Sequence, residues 1–246
     1  MDSISRLPEY RIVMPFTTMG KLKAHPSYLA AKSGDTDAAY RLVADLMRGK
    51  RQLQKLEYLK QNYQGAIIVG VHAVEPMGIN KIPQILARYI GKITGLEVNG
   101  GSDAIVQSVK VGRTGSDAIY RLAYRPKYEG TVKPGQDYLL VDDVITVGGT
   151  INELRYFIEK SGGTVVQMAC MGAAQFSTNI TLSEKTKQDL LNKYDIMSLQ
   201  EFLIEERIYD GNPLFLSESE ARTIIRAGSL DGCRNRITQR RLRENK

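Results

Sequence analysis

The chain has 246 residues, of which 42% are hydrophobic, enough for a soluble globular protein with one generous domain or a core with appended elements. Its formal net charge of +7 suits a polyanionic small molecule and would suit nucleic acid equally, so charge alone does not choose between them. Two cysteines, Cys170 and Cys233, exclude a disulfide framework and a metal-ligand spacing, and the absence of an apolar signal core or a membrane-length apolar run leads us to expect a cytoplasmic protein with no membrane partner.

Near the N-terminus His25-Pro26-Ser27-Tyr28 and Ala30-Ala31-Lys32 precede the first helix. Tyr28 could stack on a planar base and His25 could hydrogen-bond one, although packing and turn formation are the commoner uses of both residue types. Asp35-Thr36-Asp37 is an acidic helix start, followed at helical spacing by Ala38, Leu42, Val43 and Leu46. A second, more charged helix is expected over Arg51 to Asn62.

Ala66 to Val71 reads as the first buried strand, and Asn80 to Thr94 as its crossover helix, with Pro83 where a first helical turn tolerates it. The junction between them, Val71 to Lys81, offers His72, Glu75, Asn80 and Lys81. Backbone amides at the helix start, together with Lys81, could meet an anion there. His72 has two readings, a hydrogen-bond donor to a ligand or a structural cap at a strand end. Leu96 to Val98 and Ile105 to Val109 are short strand candidates. The stretch after them carries Lys110, Arg113, Thr114, Gly115, Ser116, Asp117, Arg121 and Arg125, readable as a mobile basic loop or as a plain solvated hairpin.

Tyr138-Leu139-Leu140-Val141-Asp142-Asp143-Val144-Ile145-Thr146-Val147-Gly148-Gly149-Thr150 is the most informative segment. Tyr138 to Val141 suits the centre of a parallel sheet, and ligands of such sheets sit beyond the carboxyl ends of the strands, where the two acids stand. Gly148 and Gly149 allow a sharp bend and close approach. Thr150 opens an amphipathic helix through Ile151, Leu154, Phe157 and Ile158, so unpaired amides converge on a point suited to an anion. The alternative is a strand-turn-helix unit whose acids only cap a turn. That helix ends at Gly162-Gly163, and Thr164 to Met171 forms the next strand. Neither Gly-x-Gly-x-x-Gly nor a P-loop ending occurs.

From Ser183 the pattern turns helical, through Leu190 and Leu191, then Phe202 to Ile204, then Ser217 to Arg226. Arg234, Arg236, Arg240, Arg241, Arg243 and Lys246 form a basic end that reads first as a solvated face and second as a nucleic-acid contact. On the solvated reading, removing residues 236–246 should leave ligand binding intact.

The segment from Tyr138 to Thr150 resembles the signature of type I phosphoribosyltransferases, with an apolar strand, two adjacent acids, an apolar pair and a hydroxyl- and glycine-bearing loop ending in Thr. The resemblance implies an α/β fold, a doubly wound parallel-sheet phosphoribosyltransferase-type core over residues 65–172. It also implies hood elements in the helical segments 1–64 and 173–246. It implies that Thr146, Val147, Gly148, Gly149 and Thr150 hold the 5-phosphate of phosphoribosyl pyrophosphate (PRPP), and that Asp142 and Asp143 hold the ribose hydroxyls and, through water, Mg2+. Many members have Thr or Ser where this chain has Val147, which leaves the amide and removes a hydroxyl. By position, His72 and Lys81 fall in the pyrophosphate loop, and Arg113 on a mobile segment from Lys110 to Arg125 that closes over the site. The implied activity is transfer of ribose 5-phosphate to a nitrogenous base with release of pyrophosphate, by a homodimer. A non-catalytic regulator that senses PRPP or a nucleotide and binds nucleic acid is the alternative.

Overall fold

The computed structural model describes residues 13–72, 74–75, 78–109, 117–146, 148–174 and 180–244. Strand β1 (Met14–Thr18) is followed by the short helices α1 (Met19–Lys23) and α2 (Tyr28–Lys32), then by α3 (Thr36–Leu46) and α4 (Lys50–Asn62). The Asp35 carboxylate accepts from Ala38 N at 2.9 Å and starts α3 as its residue type predicts. Strand β2 (Ile67–Gly70), the two-residue strands β3 (Val74–Glu75) and β4 (Gly78–Ile79), and helix α5 (Ile82–Thr94) follow. Pro83 stands in the first turn of α5 and Gly95, at φ +80°, ends it. Next come β5 (Val106–Val109), α6 (Ala118–Ala123), β6 (Lys127–Glu129), β7 (Asp137–Ile145), α7 (Gly149–Lys160) and β8 (Thr164–Ala173). The chain continues through α8 (Glu184–Lys193), α9 (Ile196–Glu205), α10 (Glu218–Arg226) and α11 (Leu230–Glu244).

Among the described residues four strands form a parallel sheet in the order β1-β8-β7-β2, and Val98 adds an isolated parallel bridge to Ile68 at the outer edge of β2. Connections between parallel strands are right-handed, so the direction in which a crossover travels decides the face its helix covers. The β2–α5 connection moves outward to Val98, whereas β7–α7–β8 moves the other way. Accordingly α5 packs in one apolar cluster with Ile68, Leu139 and Val141, and α7 in another with Val69, Leu140 and Met168. The expected doubly wound α/β core is therefore present. The place where the two crossovers part, between the carboxyl ends of β2 and β7, is the crevice where such sheets take ligands.

Three expectations change. The segment 1–64, expected as helical, supplies edge strand β1, whose register sets Pro15 against Cys170. An edge position tolerates a proline, which explains why Met14–Thr18 does not look like a core strand. The segment 110–125, expected as a loop, contains α6 from Ala118, because Asp117 accepts from Tyr120 N at 2.7 Å and Leu122 is buried. Leu122 lies in a third apolar cluster with Leu190, Phe202, Leu203, Ile224 and Ile237, so the C-terminal helices extend back into the range assigned to the core.

Candidate functional site

The register places the acids at the crevice. Strand β2 ends with Gly70 beside Val141, while β7 runs on and pairs Asp142 with Cys170 of β8, so both acids project past the end of β2. Gly70 is needed there, since a Cβ would stand 2.9 Å from Pro83 O in the first turn of α5. Asp142 and Asp143 are each only 5% exposed. Asp142 Oδ1 accepts from Asp143 N at 2.8 Å and Asp143 Oδ1 accepts from Val144 N at 2.7 Å. Burial first, and then the Asp143 carboxylate, hold the Asp142 pKa well above its ordinary value. Lys32 of α2 donates to Asp143 Oδ2 at 3.2 Å across 111 residues of sequence.

Beyond the acids, Thr146 follows β7, and Gly148 takes φ +78° as the N-cap of α7. That left-handed conformation costs an L-residue roughly 1–2 kcal/mol, and a Cβ would lie 3.2 Å from Ile180 Cγ1. Gly148 lets the amides at the start of α7 gather at one point, the arrangement expected of an anion cradle. Arg121 of α6 donates through Nη1 to Thr146 Oγ1 at 3.5 Å. The Thr150 carbonyl accepts from Tyr128 Oη at 3.4 Å. Val147 lies outside the described residues.

His72 stands two residues past β2, and its Nδ1 accepts from Gln107 N at 3.4 Å. Burial and then the charge of Lys81 lower its pKa, so the ring is neutral at pH 7 with its proton on Nε2, a donor rather than a cation. Lys81 is the N-cap residue of α5, and its N donates to Ala31 O at 3.1 Å, which ties α2 to this junction. Asn80 is fully buried, its Oδ1 accepting from Ile82 N at 3.1 Å while Nδ2 has no partner among the described residues. Arg113 and the rest of residues 110–116 lie outside the described residues, as does the side chain of Glu75. Asp142 and Asp143 near the end of β7, Thr146 after it, and Gly148, Gly149 and Thr150 at the start of α7 thus lie along one strand-to-helix junction, with His72 past the end of β2 and Lys81 at the start of α5.

The base-binding expectation for the N-terminus is not met by Tyr28, which is buried in the core cluster with Phe16 and Leu42. His25 is engaged on both nitrogens, accepting from Ser27 N at 3.1 Å and facing Asp45 Oδ2 at 3.4 Å. Sequence reading passed over the pairing of Lys32 with Asp143 and of Arg121 with Thr146. Both are long-range and leave no local signature.

Behind the loop lies a buried polar network. Arg125 pairs through Nε with Glu153 of α7, donates through Nη1 to Glu220 Oε1 of α10 at 2.9 Å, and stacks 4.1 Å from the Tyr209 ring centroid. Tyr209 Oη bridges Glu220 Oε2 at 3.1 Å and Asn152 Nδ2 at 3.1 Å. Glu220 also closes the capping box of α10 with Ser217. These bonds join the helix that follows the glycine turn to the C-terminal helices. The basic end is docked as well. Ile237 of α11 is fully buried, Arg234 pairs with Glu205 and Asp231, and Arg241 with Glu206 at 2.7 Å, while Arg240 stacks on Tyr120. The basic end, expected as a helix or tail with a solvated face, is a helix packed through Cys233 and Ile237, in which Arg234, Arg240 and Arg241 are engaged while Arg236 and Arg243 are exposed.

Among the described residues no group of three or more His, Cys, Asp or Glu could hold a metal, and no helix is long and apolar enough to cross a membrane. Two oxygen-donor carboxylates fit Mg2+ that keeps most of its waters and shares a ligand's oxygens.

No protein-family model matches the chain. It is 37% identical over 223 residues to protein TraN of Escherichia coli, a match covering 91% of this chain and 48% of TraN. An uncharacterized protein of Haemophilus influenzae is 37% identical over 142 residues, covering 58% of this chain and 31% of that protein. The adenine phosphoribosyltransferase of Leuconostoc citreum is 34% identical over 92 residues, 35% of this chain and 52% of that enzyme. The chain spans about half the length of TraN or less of these longer relatives, and its similarity to adenine phosphoribosyltransferases is distant and covers part of its length.

Proposed function

We propose that the chain is a Mg2+-dependent phosphoribosyltransferase module, which transfers ribose 5-phosphate from PRPP to a nitrogenous base and releases pyrophosphate in the cytoplasm. One observation carries this reading. Two adjacent buried carboxylates, Asp142 and Asp143, stand at the crevice of a doubly wound sheet and are followed at once by a glycine turn into α7. Sequence similarity to adenine phosphoribosyltransferases supports it, and adenine is the first acceptor to try. In this reading the acids accept hydrogen bonds from the ribose hydroxyls, and the turn from Thr146 to Thr150 donates to the 5-phosphate. His72 Nε2 and Lys81 face the pyrophosphate from the end of β2. As the bond from C1 to pyrophosphate lengthens, positive charge builds on the sugar and negative charge on the leaving group, and the carboxylates and cations on either side stabilise the two. Mg2+ would be held through water by Asp142 and Asp143 and would supply charge neutralisation for pyrophosphate.

The test is incubation with Mg-PRPP and a panel of bases headed by adenine, with pyrophosphate release measured. Base-dependent release is the expected result. PRPP binding without release for any base would move the reading to a PRPP-sensing regulator, and no PRPP binding would remove both.

A further inference from the structure

Of the two acids at the crevice, Asp143 is held by a side chain from a distant part of the chain. The strand itself ties one oxygen of each acid, Asp142 Oδ1 accepting from Asp143 N at 2.8 Å and Asp143 Oδ1 from Val144 N at 2.7 Å. A carboxylate tied at one oxygen can still swing about that bond, whereas one tied at both keeps its direction. Asp143 is tied at both, because Oδ2 accepts from Lys32 Nζ at 3.2 Å. The two side chains are 22% and 7% exposed, so solvent screens this pair less than it screens a surface pair.

The backbone that carries Lys32 is fixed in turn. Tyr28 and Ala31 of α2 are buried in the core cluster with Phe16 and Leu42. At the end of α2 the Ala31 carbonyl accepts from Lys81 N at 3.1 Å, and the Ala30 carbonyl accepts from Asp35 N at 3.0 Å. Gly78 of β4, at φ +135°, packs so closely on Ser33 that a Cβ there would collide with Ser33 O. Helix α2 is therefore locked against β4 and the start of α5, and Lys32, its last residue, reaches Asp143 near the end of β7 from a fixed base. The Lys32 ammonium also lies 6.0 Å from the centroid of the Tyr28 ring.

We infer that Lys32 is a positioning residue of the sugar site, holding the Asp143 carboxylate in the direction in which that acid accepts from a ribose hydroxyl, so that α2 completes the site from 111 residues away in the chain. This rests on the phosphoribosyltransferase reading. A carboxylate offers about four lone-pair positions on its two oxygens, so Asp143 can keep Val144 N and Lys32 and still accept from the sugar. An ammonium suits the role because it has donors and no acceptor, and so does not compete with the carboxylate for the hydroxyl proton. Its charge also stands beside two adjacent acids and offsets their mutual repulsion.

Calorimetric titration with ribose 5-phosphate and, separately, with Mg-pyrophosphate, which has no sugar hydroxyls, isolates this role. Loosened packing or a lost positive field would weaken both polyanions alike. Lys32→Met should instead weaken ribose 5-phosphate binding by about 10-fold, the low end of the cost when ligand-holding groups of metal sites lose their outer partners, and leave Mg-pyrophosphate affinity unchanged. Lys32→Arg, which can still donate to Asp143 Oδ2, should recover most of the loss, and Lys32→Ala carries the test if the Met variant does not fold. Unchanged ribose 5-phosphate affinity without the lysine, equal losses for the two ligands, or an Arg variant as weak as the Met variant would overturn the assignment. Wild-type protein that binds neither ribose 5-phosphate nor PRPP would instead overturn the phosphoribosyltransferase reading itself.

Discussion

Arg125→Met tests whether the C-terminal helices and the core form one energetic unit. Arg125, Glu153 and Glu220 have side chains only 3% exposed. Burial opposes the guanidinium's charge, yet Glu220, Tyr209 and Glu153 together raise its pKa above the ordinary value. Methionine fills much of the same volume but leaves two carboxylates buried without their cation. Breaking a buried ion pair from one side costs about 3–5 kcal/mol, and the stacking on Tyr209 adds about 0.5–2 kcal/mol. We therefore expect a loss of about 4 kcal/mol in urea unfolding with an unchanged m-value, and a Tm lower by roughly 10 °C for a chain of this size. The variant Arg125→Met, Glu153→Gln, Glu220→Gln should recover most of the loss, since glutamine at the third position of α10 still closes the capping box with Ser217. A loss below about 1 kcal/mol in the single variant, or no recovery in the triple variant, would refute the assignment of the cost to stranded charge.

Asp142 has a folded-state pKa above its unfolded value, so its contribution to stability is full below the unfolded pKa and is lost as pH rises through the folded one. Asp142→Asn should therefore raise Tm near pH 8 and change it little near pH 4, and a pH-independent difference would contradict this. Deleting residues 236–246 removes the fully buried Ile237 and the Arg241–Glu206 pair. It should cost about 2–5 kcal/mol, read as a lower unfolding midpoint, and an unchanged midpoint would return the tail to the solvent. Gly148→Ala places a Cβ at φ +78° and 3.2 Å from Ile180. It should weaken ribose 5-phosphate binding while leaving Mg-pyrophosphate binding unchanged, and calorimetry showing no such loss would contradict the cradle.

What could be read from sequence was what is local. The run from Tyr138 to Thr150 announces strand, acids, turn and helix by contrasts between neighbours, and β7 and α7 lie where those contrasts put them. Val69, Leu139 and Met168 have buried strand surroundings on both sides, so β2, β7 and β8 read as apolar runs. Strand β1 did not, because an edge strand of five residues with a proline has no such run and its partner in β8 lies far along the chain. Helix α6 was concealed by its shortness and by the basic, glycine-bearing sequence before it, although Asp117 before Ala118 was a legible cap. In the site, Asp142, Asp143 and the glycine turn were visible because one segment carries them all. Lys32 and Arg121 reach that segment from other elements, and only the packing of α2 and α6 reveals them.

The most direct test of the account is calorimetric titration of the wild-type chain and of the Asp142→Asn, Asp143→Asn double variant with Mg-PRPP. Wild type should bind with a dissociation constant on the order of micromolar, about −8 kcal/mol, and the double variant should show no detectable binding while retaining its fold. Wild-type protein that does not bind Mg-PRPP, or a folded double variant that binds it with wild-type affinity, would contradict the claim that these two carboxylates form a PRPP site.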